Sequence, residues 1–325
     1  MSRKVLVLGP DFFGYNQDIS DGFKKNGWEV DCYNYLDGRT VSVGDILVNY
    51  IFKKNYLKDV NDIKLSNNYD LVLVIKGTRL NLETMQYIRS KSSRVYLWFM
   101  DPVNIYKEKL GLLSFYDKIF TFQFKDVETL RIISGRPVSY LPLFHNLSSF
   151  ENLIFPKKDI DLIFIGNIYN GRAEYFDDIL SDESYKALDV RIYGGFGFFK
   201  LFDYFRVKKK YPNLGRYLKF GLINRKKMHK LYSRSKASFN VHADTQNGLN
   251  MRFYELYGYR VFQFLKGNEL ETEDANVECC AYVSVSKNTC IDIKVVENTS
   301  HCFKYMDQHK VECRIFEIIK YYDEN

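Results

Sequence analysis

Short apolar segments that alternate with helical stretches constrain the fold of this chain more than any other feature. The segments are rich in valine, isoleucine, leucine and aromatic residues. Buried strands of a parallel sheet have this composition, because helices cover both of their faces. We predict strands at residues 4–8, 30–35, 70–75, 94–100, 118–122, 138–141, 160–165, 190–193, 237–241, 261–264 and 282–285. We predict helices at residues 19–25, 83–90, 172–180, 226–233, 251–257 and 299–322.

The alternation of strands and helices predicts an α/β fold with doubly wound parallel sheets. A polar, aperiodic loop at residues 142–158, which holds Pro142 and Pro156, separates two successive β–α series. We therefore place one α/β domain at residues 1–150 and a second, with closing helices, at residues 151–325. A chain of 325 residues is long enough for two domains of ordinary size.

Several classes of protein are disfavoured by the sequence. The first apolar run covers only residues 5–8 before Gly9 and Pro10, so we predict a strand there and not a signal peptide. No apolar run approaches the roughly 20 residues that span a bilayer. The six cysteines show no CxxC spacing, and we expect a cytoplasmic protein with reduced thiols. The absence of GxGxxG, GK[ST] and GxSxG motifs disfavours dehydrogenases, P-loop NTPases and serine hydrolases.

Cysteines near the C-terminus do not form a recognisable zinc motif. The possible ligands are Cys279, Cys280, Cys290, His301 and Cys302, and their spacing fits no zinc pattern. We therefore predict no metal site.

Residues 238–264 carry the pattern that is most informative about function. A strand, a polar loop, a short helix and a second strand follow one another, with Asn250 as the predicted N-cap and Gly258 as the predicted stop. The N-terminal end of such a helix offers free N–H groups to a phosphate, and Arg252 lies beside it. Glu255, one turn further, is placed to accept hydrogen bonds from a ribose diol. The alternative interpretation is an amphipathic helix with Arg252 and Glu255 as a solvated pair. His242, at the tip of the preceding strand, is predicted to line the same site.

Several segments along the chain resemble those of the CgeB-like glycosyltransferases. The resemblance rests on the order of IDLIFIGNIYNGR, LDVRIYGG, FGLINRKKMHKLYSRSKASFNVHAD and NMRFYELYGYRVFQF, and on LVLVIKG, VYLWFMDPVN, YDKIFTF and YLPLFHN in the first half. It implies a GT-B architecture, in which two Rossmann-like domains face a cleft. It also implies that the C-terminal domain binds a nucleotide-sugar donor and the N-terminal domain binds the acceptor.

The resemblance implies roles for individual residues. Glu255 matches the carboxylate that binds the ribose, and Arg172 matches a basic residue near the diphosphate. This sequence has Asn247 where group 1 glycosyltransferases often carry a second glutamate, so no carboxylate is expected there. The other donor-side positions are Gly166, Asn167, Gly194, Gly221, Asn250, Met251 and Arg252.

On the acceptor side the expected residues are Gly9, Lys76 and Asp101. Asp101 is a candidate catalytic residue that orients or deprotonates the acceptor hydroxyl, and His242 is the second candidate. Asp101 also fits a purely structural role as the cap of the turn before Pro102. Lys76 fits either a phosphate contact or a structural cation.

The implied activity is transfer of a sugar from a nucleoside-diphosphate sugar to a hydroxyl of a glycan or glycolipid, with retention of configuration, in surface polysaccharide or glycoconjugate synthesis. No cofactor and no metal are expected. One alternative is a nucleotide-sugar 2-epimerase, for which His242 and Asp244 are the available catalytic groups. Another is a non-catalytic nucleotide- or glycan-binding protein.

Residues 194–220 concentrate positive charge and aromatic side chains. Seven lysines and arginines lie there against one acid, in a chain whose formal net charge is +7. Phe198, Leu201, Phe202 and Phe205 have helical spacing on one face. This pattern predicts an anionic membrane surface as a partner, at the inner face of the membrane. Nucleic acid is not expected, since no RNA- or DNA-binding motif accompanies the segment. In the alternative interpretation these aromatic residues fill the core of the second domain.

Overall fold

The computed structural model describes residues 2–10, 13–35, 60–147, 156–168, 171–196, 200–242, 248–266, 282–284 and 306–325. These residues form two α/β domains, each built on a six-stranded parallel sheet. The prediction of two doubly wound α/β domains is confirmed. The predicted boundary at residue 150 lies outside the described residues.

The first sheet has the strand order β2-β1-β3-β4-β5-β6. Its strands are β1 (Lys4–Pro10), β2 (Glu29–Tyr35), β3 (Tyr69–Ile75), β4 (Ser92–Phe99), β5 (Lys118–Thr121) and β6 (Val138–Tyr140). The connecting helices are α1 (Tyr15–Lys25), α2 (Leu82–Ser90) and α3 (Asp126–Ser134), with 3₁₀ segments at Val60–Asp62 and Val103–Phe115.

Alternate residues of the central strands enter two separate cores, one on each face of the sheet. In β3, Leu71 and Leu73 belong to one core, and Val72 and Val74 belong to the other. All four side chains are fully buried. This two-sided burial explains why the strand is a continuous apolar run in the sequence.

The second sheet has the strand order β12-β11-β10-β7-β8-β9. Its strands are β7 (Ile160–Ile165), β8 (Val190–Tyr193), β9 (Leu218–Lys219), β10 (Ser235–Val241), β11 (Phe262–Lys266) and β12 (Tyr282–Ser284). Its helices are α4 (Arg172–Ile179), α5 (Leu201–Lys210), α6 (Pro212–Tyr217), α7 (Arg225–Ser233) and α8 (Met251–Gly258), with a 3₁₀ segment at Glu183–Ala187.

The chain ends by returning to the first domain. A 3₁₀ segment at Met306–His309 leads into α9 (Val311–Glu324), which packs on α1. A Cβ atom at Gly22 would lie 2.8 Å from Ile315, so the two helices touch where α1 has no side chain. Trp28 and Tyr322 meet edge to face, with ring centroids 5.2 Å apart. The closing helix that the sequence places in the second half therefore covers the sheet of the first.

Two local predictions need correction. Gly258 was predicted as a helix stop, but it is the last residue of α8 and has no positive φ. A Cβ atom at this position would lie 2.8 Å from the ring of His145, so the glycine is required for close packing. Helix α1 begins at Tyr15 and not at residue 19, and it follows Gly14, whose φ of 77° is left-handed.

Candidate functional site

The carboxyl ends of strands from both sheets border a cavity of about 320 Å³. In α/β proteins ligands bind at this edge of a parallel sheet. The cavity brings together most of the residues predicted from the sequence, namely Lys76, Asp101, Gly166, Asn167, Arg172, Asn250, Met251, Arg252 and Glu255.

The other predicted positions lie outside the residues that line this cavity. A Cβ atom at Gly9 would lie 2.8 Å from Ile75, so this glycine allows the end of β1 to pack closely on β3. At Gly194 a Cβ atom would meet the ring of Phe196. Gly221 has a φ of 115°, which favours glycine.

Helix α8 begins at the cavity with a well-defined N-cap. The Asn250 side chain accepts a hydrogen bond from the Phe253 N–H at 2.8 Å. The Asn250 amide in turn donates to Asn240 at 2.9 Å, which fixes the cap to the neighbouring strand β10. Within the described part of the chain, the N–H groups of Met251 and Arg252 have no hydrogen-bond acceptor. The cap therefore leaves two N–H donors and the positive end of the helix dipole beside the cavity.

Two arginines add positive charge at the same place. Arg252 donates from Nε to the carbonyl oxygen of Ile165 at 3.1 Å, at the end of β7. A Cβ atom at Gly166 would lie 2.5 Å from its guanidinium, so the glycine makes room for Arg252. Arg172 donates to the carbonyl oxygens of Asn167, at 3.0 Å, and Val241, at 2.8 Å. Together with the start of α8, these guanidiniums form a site suited to a polyanion such as a diphosphate.

Glu255 is buried, with 6% of its surface exposed. Its Oε1 accepts a hydrogen bond from the Tyr15 hydroxyl of the first domain at 2.9 Å. Burial raises the pKa of Glu255 to about 7, against the opposing effects of the Tyr15 hydrogen bond, Arg225 and Arg252. The carboxyl group therefore changes its protonation state near neutral pH.

This pKa predicts a pH-dependent stability. Folded Glu255 holds a proton that the unfolded chain releases above about pH 4.5, so its stabilising contribution is complete below that pH. The contribution is lost as the pH rises through about 7. One pKa unit corresponds to about 1.4 kcal/mol, so the whole change is on the order of 3 kcal/mol. We expect the free energy of unfolding of the wild type, measured relative to Glu255→Gln by urea denaturation, to fall between pH 4.5 and pH 7. Parallel pH profiles for the two proteins would contradict a raised pKa at this position.

Lys76 and Asp101 form an ion pair at the first domain's side of the cavity, with Nζ and Oδ2 2.8 Å apart. Lys76 is buried and has a φ of 64°, which is uncommon for a residue with a side chain. Asp101 is partly exposed. The pair places a carboxylate, with a cation beside it, at the end of β4.

His242 is buried at the end of β10, outside the cavity lining. Among the residues that the structure describes, neither ring nitrogen has a hydrogen-bond partner. Burial, together with the positive charges of Arg252 and Arg172, lowers the pKa of His242 to about 3. The imidazole is therefore neutral at physiological pH. Asp244 and Asn247 follow it in a segment outside the described residues.

Sequence reasoning missed the residues that join the two domains at this site. Tyr15 contacts Glu255, and Arg225 of α7 forms an ion pair with Asp18 of α1. Arg225 also donates to the carbonyl oxygen of Gly14 at 3.2 Å and to His229 at 3.1 Å. Tyr15 comes directly after the loop that follows β1, and this position in the sequence could have identified it as a candidate site residue.

Comparison with known proteins identifies the fold. No protein-family model and no curated protein sequence matches the chain. The fold is similar to that of OtsA in its apo structure, with a TM-score of 0.62, 11% identity and coverage of 99% of each chain. It is also similar to a glycosyltransferase from Rickettsia africae ESF-5, with a TM-score of 0.60, 12% identity and coverage of 99% of this chain and 98% of the other. A UDP-GlcNAc 2-epimerase from Neisseria meningitidis, bound to UDP-GlcNAc, has a TM-score of 0.55 and 12% identity, with coverage of 99% of this chain and 100% of the other. These similarities show that the chain has the GT-B fold.

Proposed function

We propose that this protein is a glycosyltransferase that moves a sugar from a nucleoside-diphosphate sugar to a hydroxyl group of a glycan or glycolipid. The observation that carries the proposal is the arrangement of Glu255, Arg252, Arg172 and the start of α8 around one cavity between two GT-B domains. The motif order that resembles CgeB-like glycosyltransferases supports the same activity, in synthesis of a surface polysaccharide or glycoconjugate.

The donor would bind through its diphosphate and its ribose. The diphosphate accepts hydrogen bonds from the N–H groups of Met251 and Arg252, while the guanidiniums of Arg252 and Arg172 balance its charge. The ribose hydroxyls donate to the Glu255 carboxylate. Because Tyr15 already donates to Oε1, the ribose binds the other oxygen or displaces the tyrosine. Negative charge develops on the departing diphosphate during transfer, and the same cationic groups stabilise it.

The acceptor would approach from the first domain. Asp101 lies at that side of the cavity and is paired with Lys76. In our proposal it orients the acceptor hydroxyl on the face of the sugar that the diphosphate leaves. The bond from the anomeric carbon to the phosphate oxygen breaks, and the acceptor oxygen bonds to that carbon on the same face. The departing phosphate takes the hydroxyl proton, and the configuration is retained. His242 is buried, neutral and outside the cavity lining, so a supporting role beneath the donor site suits it better than direct proton transfer.

A nucleotide-sugar 2-epimerase is the second candidate, because the structures of the same fold include that of a UDP-GlcNAc 2-epimerase. An epimerase would use the same donor site but would move a proton on the sugar ring. A non-catalytic binding protein would bind the nucleotide and form no product. The three functions therefore differ in product and not in the first binding step.

A thermal-shift screen against a panel of nucleotide sugars tests the shared step. A ligand at 100 times its Kd adds about 2.7 kcal/mol of stability, which gives a measurable rise in Tm. Incubation of the stabilising donor with candidate acceptors then separates the functions. Acceptor-dependent release of nucleoside diphosphate supports transfer, a new nucleotide sugar without acceptor supports epimerisation, and the absence of both supports a binding protein. A panel that gives no shift with any nucleotide sugar would contradict the proposal.

We expect turnover to survive chelation of divalent ions. The cationic groups at the cavity already offset diphosphate charge, and within the described ranges no three histidine, cysteine or acidic side chains converge. Activity in excess EDTA should equal activity in buffer, because helix N–H groups and arginines supply the charge stabilisation in this proposal. Loss of turnover in chelator and its return with Mg²⁺ or Mn²⁺ would contradict this part of the mechanism.

A further inference from the structure

Four large apolar side chains of the second domain are exposed in one region. Phe202 and Phe205 lie on α5 with 89% and 58% of their surfaces exposed, and Phe220 and Leu222 follow β9 with 42% and 66% exposed. We call these four residues, three phenylalanines and one leucine, the aromatic patch. Exposed apolar patches of this kind on soluble domains mark interaction sites.

The two segments of the patch meet at a buried neighbour that Phe205 and Phe220 share. The ring of Tyr204 is 8% exposed and lies 5.4 Å from the ring of Phe205 and 5.3 Å from that of Phe220. Tyr204 is therefore part of the core of the domain, whereas Phe202, Phe205 and Phe220 are exposed. Of the predicted face, Phe202 and Phe205 are exposed and Leu201 is partly buried, whereas Phe198 lies outside the described residues.

Positive charge surrounds the patch. From Lys200 to Leu222 the chain has seven basic residues and one acid, Asp203, which gives a formal charge of +6. All seven basic residues are exposed: Lys200, Arg206, Lys208, Lys209, Lys210, Arg216 and Lys219. The Nζ atom of Lys208 lies 5.8 Å from the Tyr204 ring centroid, directly beside the patch. Apolar and basic groups are thus side by side, as in helices that lie in the interface of an anionic bilayer.

The patch lies on the same side of the second domain as the candidate donor site. Strand β9 is the edge strand and runs parallel to β8, so Phe220 and Leu222 follow the carboxyl end of the sheet. That is the edge at which Gly166 follows β7, two strands away. Two strand spacings amount to about 10 Å. A surface bound at the patch would therefore lie close to the opening of the cavity.

We propose that the aromatic patch and its basic surround bind an anionic lipid bilayer, with the phenylalanines in the interface and the lysines at the headgroups. In the described part of the chain, no helix is both long and apolar enough to cross a membrane. The proposed contact is made by exposed side chains at the bilayer surface. Attachment in this orientation brings the cavity to the membrane surface, where a lipid-linked acceptor is located. The approach to a lipid-linked acceptor rests on the proposed function, whereas the membrane contact itself does not.

Co-sedimentation of the full chain with vesicles tests the proposal. The vesicles are phosphatidylcholine alone and phosphatidylcholine with about one third phosphatidylglycerol, at low and at high salt. One variant is Phe202→Ser with Phe205→Ser, and a second is Lys208→Glu with Lys209→Glu and Lys210→Glu. The matched control, Lys24→Glu with Lys186→Glu and Lys320→Glu, changes the net charge equally at exposed sites elsewhere.

We expect the wild type to sediment with the anionic vesicles only, and less at high salt. Each patch variant should weaken binding by at least about tenfold, since basic and aromatic groups act together at a headgroup surface, while the control binds as the wild type does. The Tm of Phe202→Ser with Phe205→Ser should match that of the wild type, because both side chains are exposed. The lysine variant loses favourable charges in the last turn of α5, so a modest fall in its Tm is expected, and its binding is measured well below that Tm.

Three results would overturn the proposal. The wild type could stay in the supernatant with anionic vesicles at low salt. The control could lose as much binding as the patch variants, which would show an effect of total charge alone. The wild type could form a dimer that Phe202→Ser with Phe205→Ser dissociates, without vesicle binding, which would assign the patch to a second copy of the chain. Donor binding in the thermal-shift screen is measured without vesicles, so failure there leaves the membrane result independent.

Discussion

Replacement of Glu255 by alanine is expected to weaken nucleotide-sugar binding by about 10- to 100-fold. The variant removes the charged acceptor of the ribose hydroxyls, and hydrogen bonds to charged groups contribute about 1.5–3 kcal/mol. At about 1.4 kcal/mol per factor of ten, this loss corresponds to the expected change in Kd. Because the pKa of Glu255 is about 7, wild-type affinity should also rise with pH through neutrality as the carboxylate forms.

Calorimetric titration of the nucleotide sugar identified in the panel measures this effect. Glu255→Gln serves as the isosteric variant, since its amide oxygen still accepts a hydrogen bond from Tyr15 but carries no charge. Glu317→Ala, at an exposed position of α9, is the control for loss of a carboxylate elsewhere. An unchanged Kd in Glu255→Ala, with an unchanged Tm, would rule out the assigned role of Glu255 in donor binding.

Replacement of Arg225 by leucine is expected to lower the free energy of unfolding by about 3–5 kcal/mol. Arg225 in the second domain pairs with Asp18 in the first, and Asp18 is 4% exposed. Burial raises the pKa of Asp18, and the Arg225 hydrogen bond and charge oppose that rise. Removal of the arginine leaves a buried carboxylate with only the Asn146 amide, and unpaired buried charges carry a cost of this size.

A double-mutant cycle separates the ion pair from packing. Urea denaturation of Arg225→Leu, Asp18→Asn and the double variant gives their free energies of unfolding at pH 7. We expect the double variant to be more stable than Arg225→Leu alone, because it has no uncompensated charge and Asn146 still has an acceptor at position 18. A coupling energy of about 1–3 kcal/mol is expected for groups in direct contact. Strict additivity of the two single effects would show that the pair does not hold the domains together.

The strands were predictable because burial on both faces of a strand requires apolar side chains at consecutive positions of the sequence. Leu71 through Val74 are all apolar since both faces of β3 face a core, and a run of this kind needs no knowledge of its partners. The loop-to-helix unit that ends in Glu255 was predictable for a similar local reason. Asn250 caps the helix that follows it in the chain, so its role depends on neighbours three residues away.

Helix α3 was not predicted from the sequence, and the reason is physical. Of its apolar residues Leu130 is fully buried, but Ile132 and Ile133 are exposed by 75% and 48%. Its apolar pattern therefore does not follow the buried face, and periodicity did not reveal a helix.

The contacts between the domains depend on the tertiary structure alone. Tyr15 meets Glu255 across 240 positions of sequence, and Arg225 meets Asp18 across 207. A glycine at 258 was predicted to end a helix, and only the packed structure shows that it admits the ring of His145. Local propensity depends on residues within one or two turns of each other, so the sequence revealed the strands, the cap and the carboxylate. The pKa of that carboxylate comes from burial and from charges that folding brings together from distant parts of the chain, and no local pattern contains them.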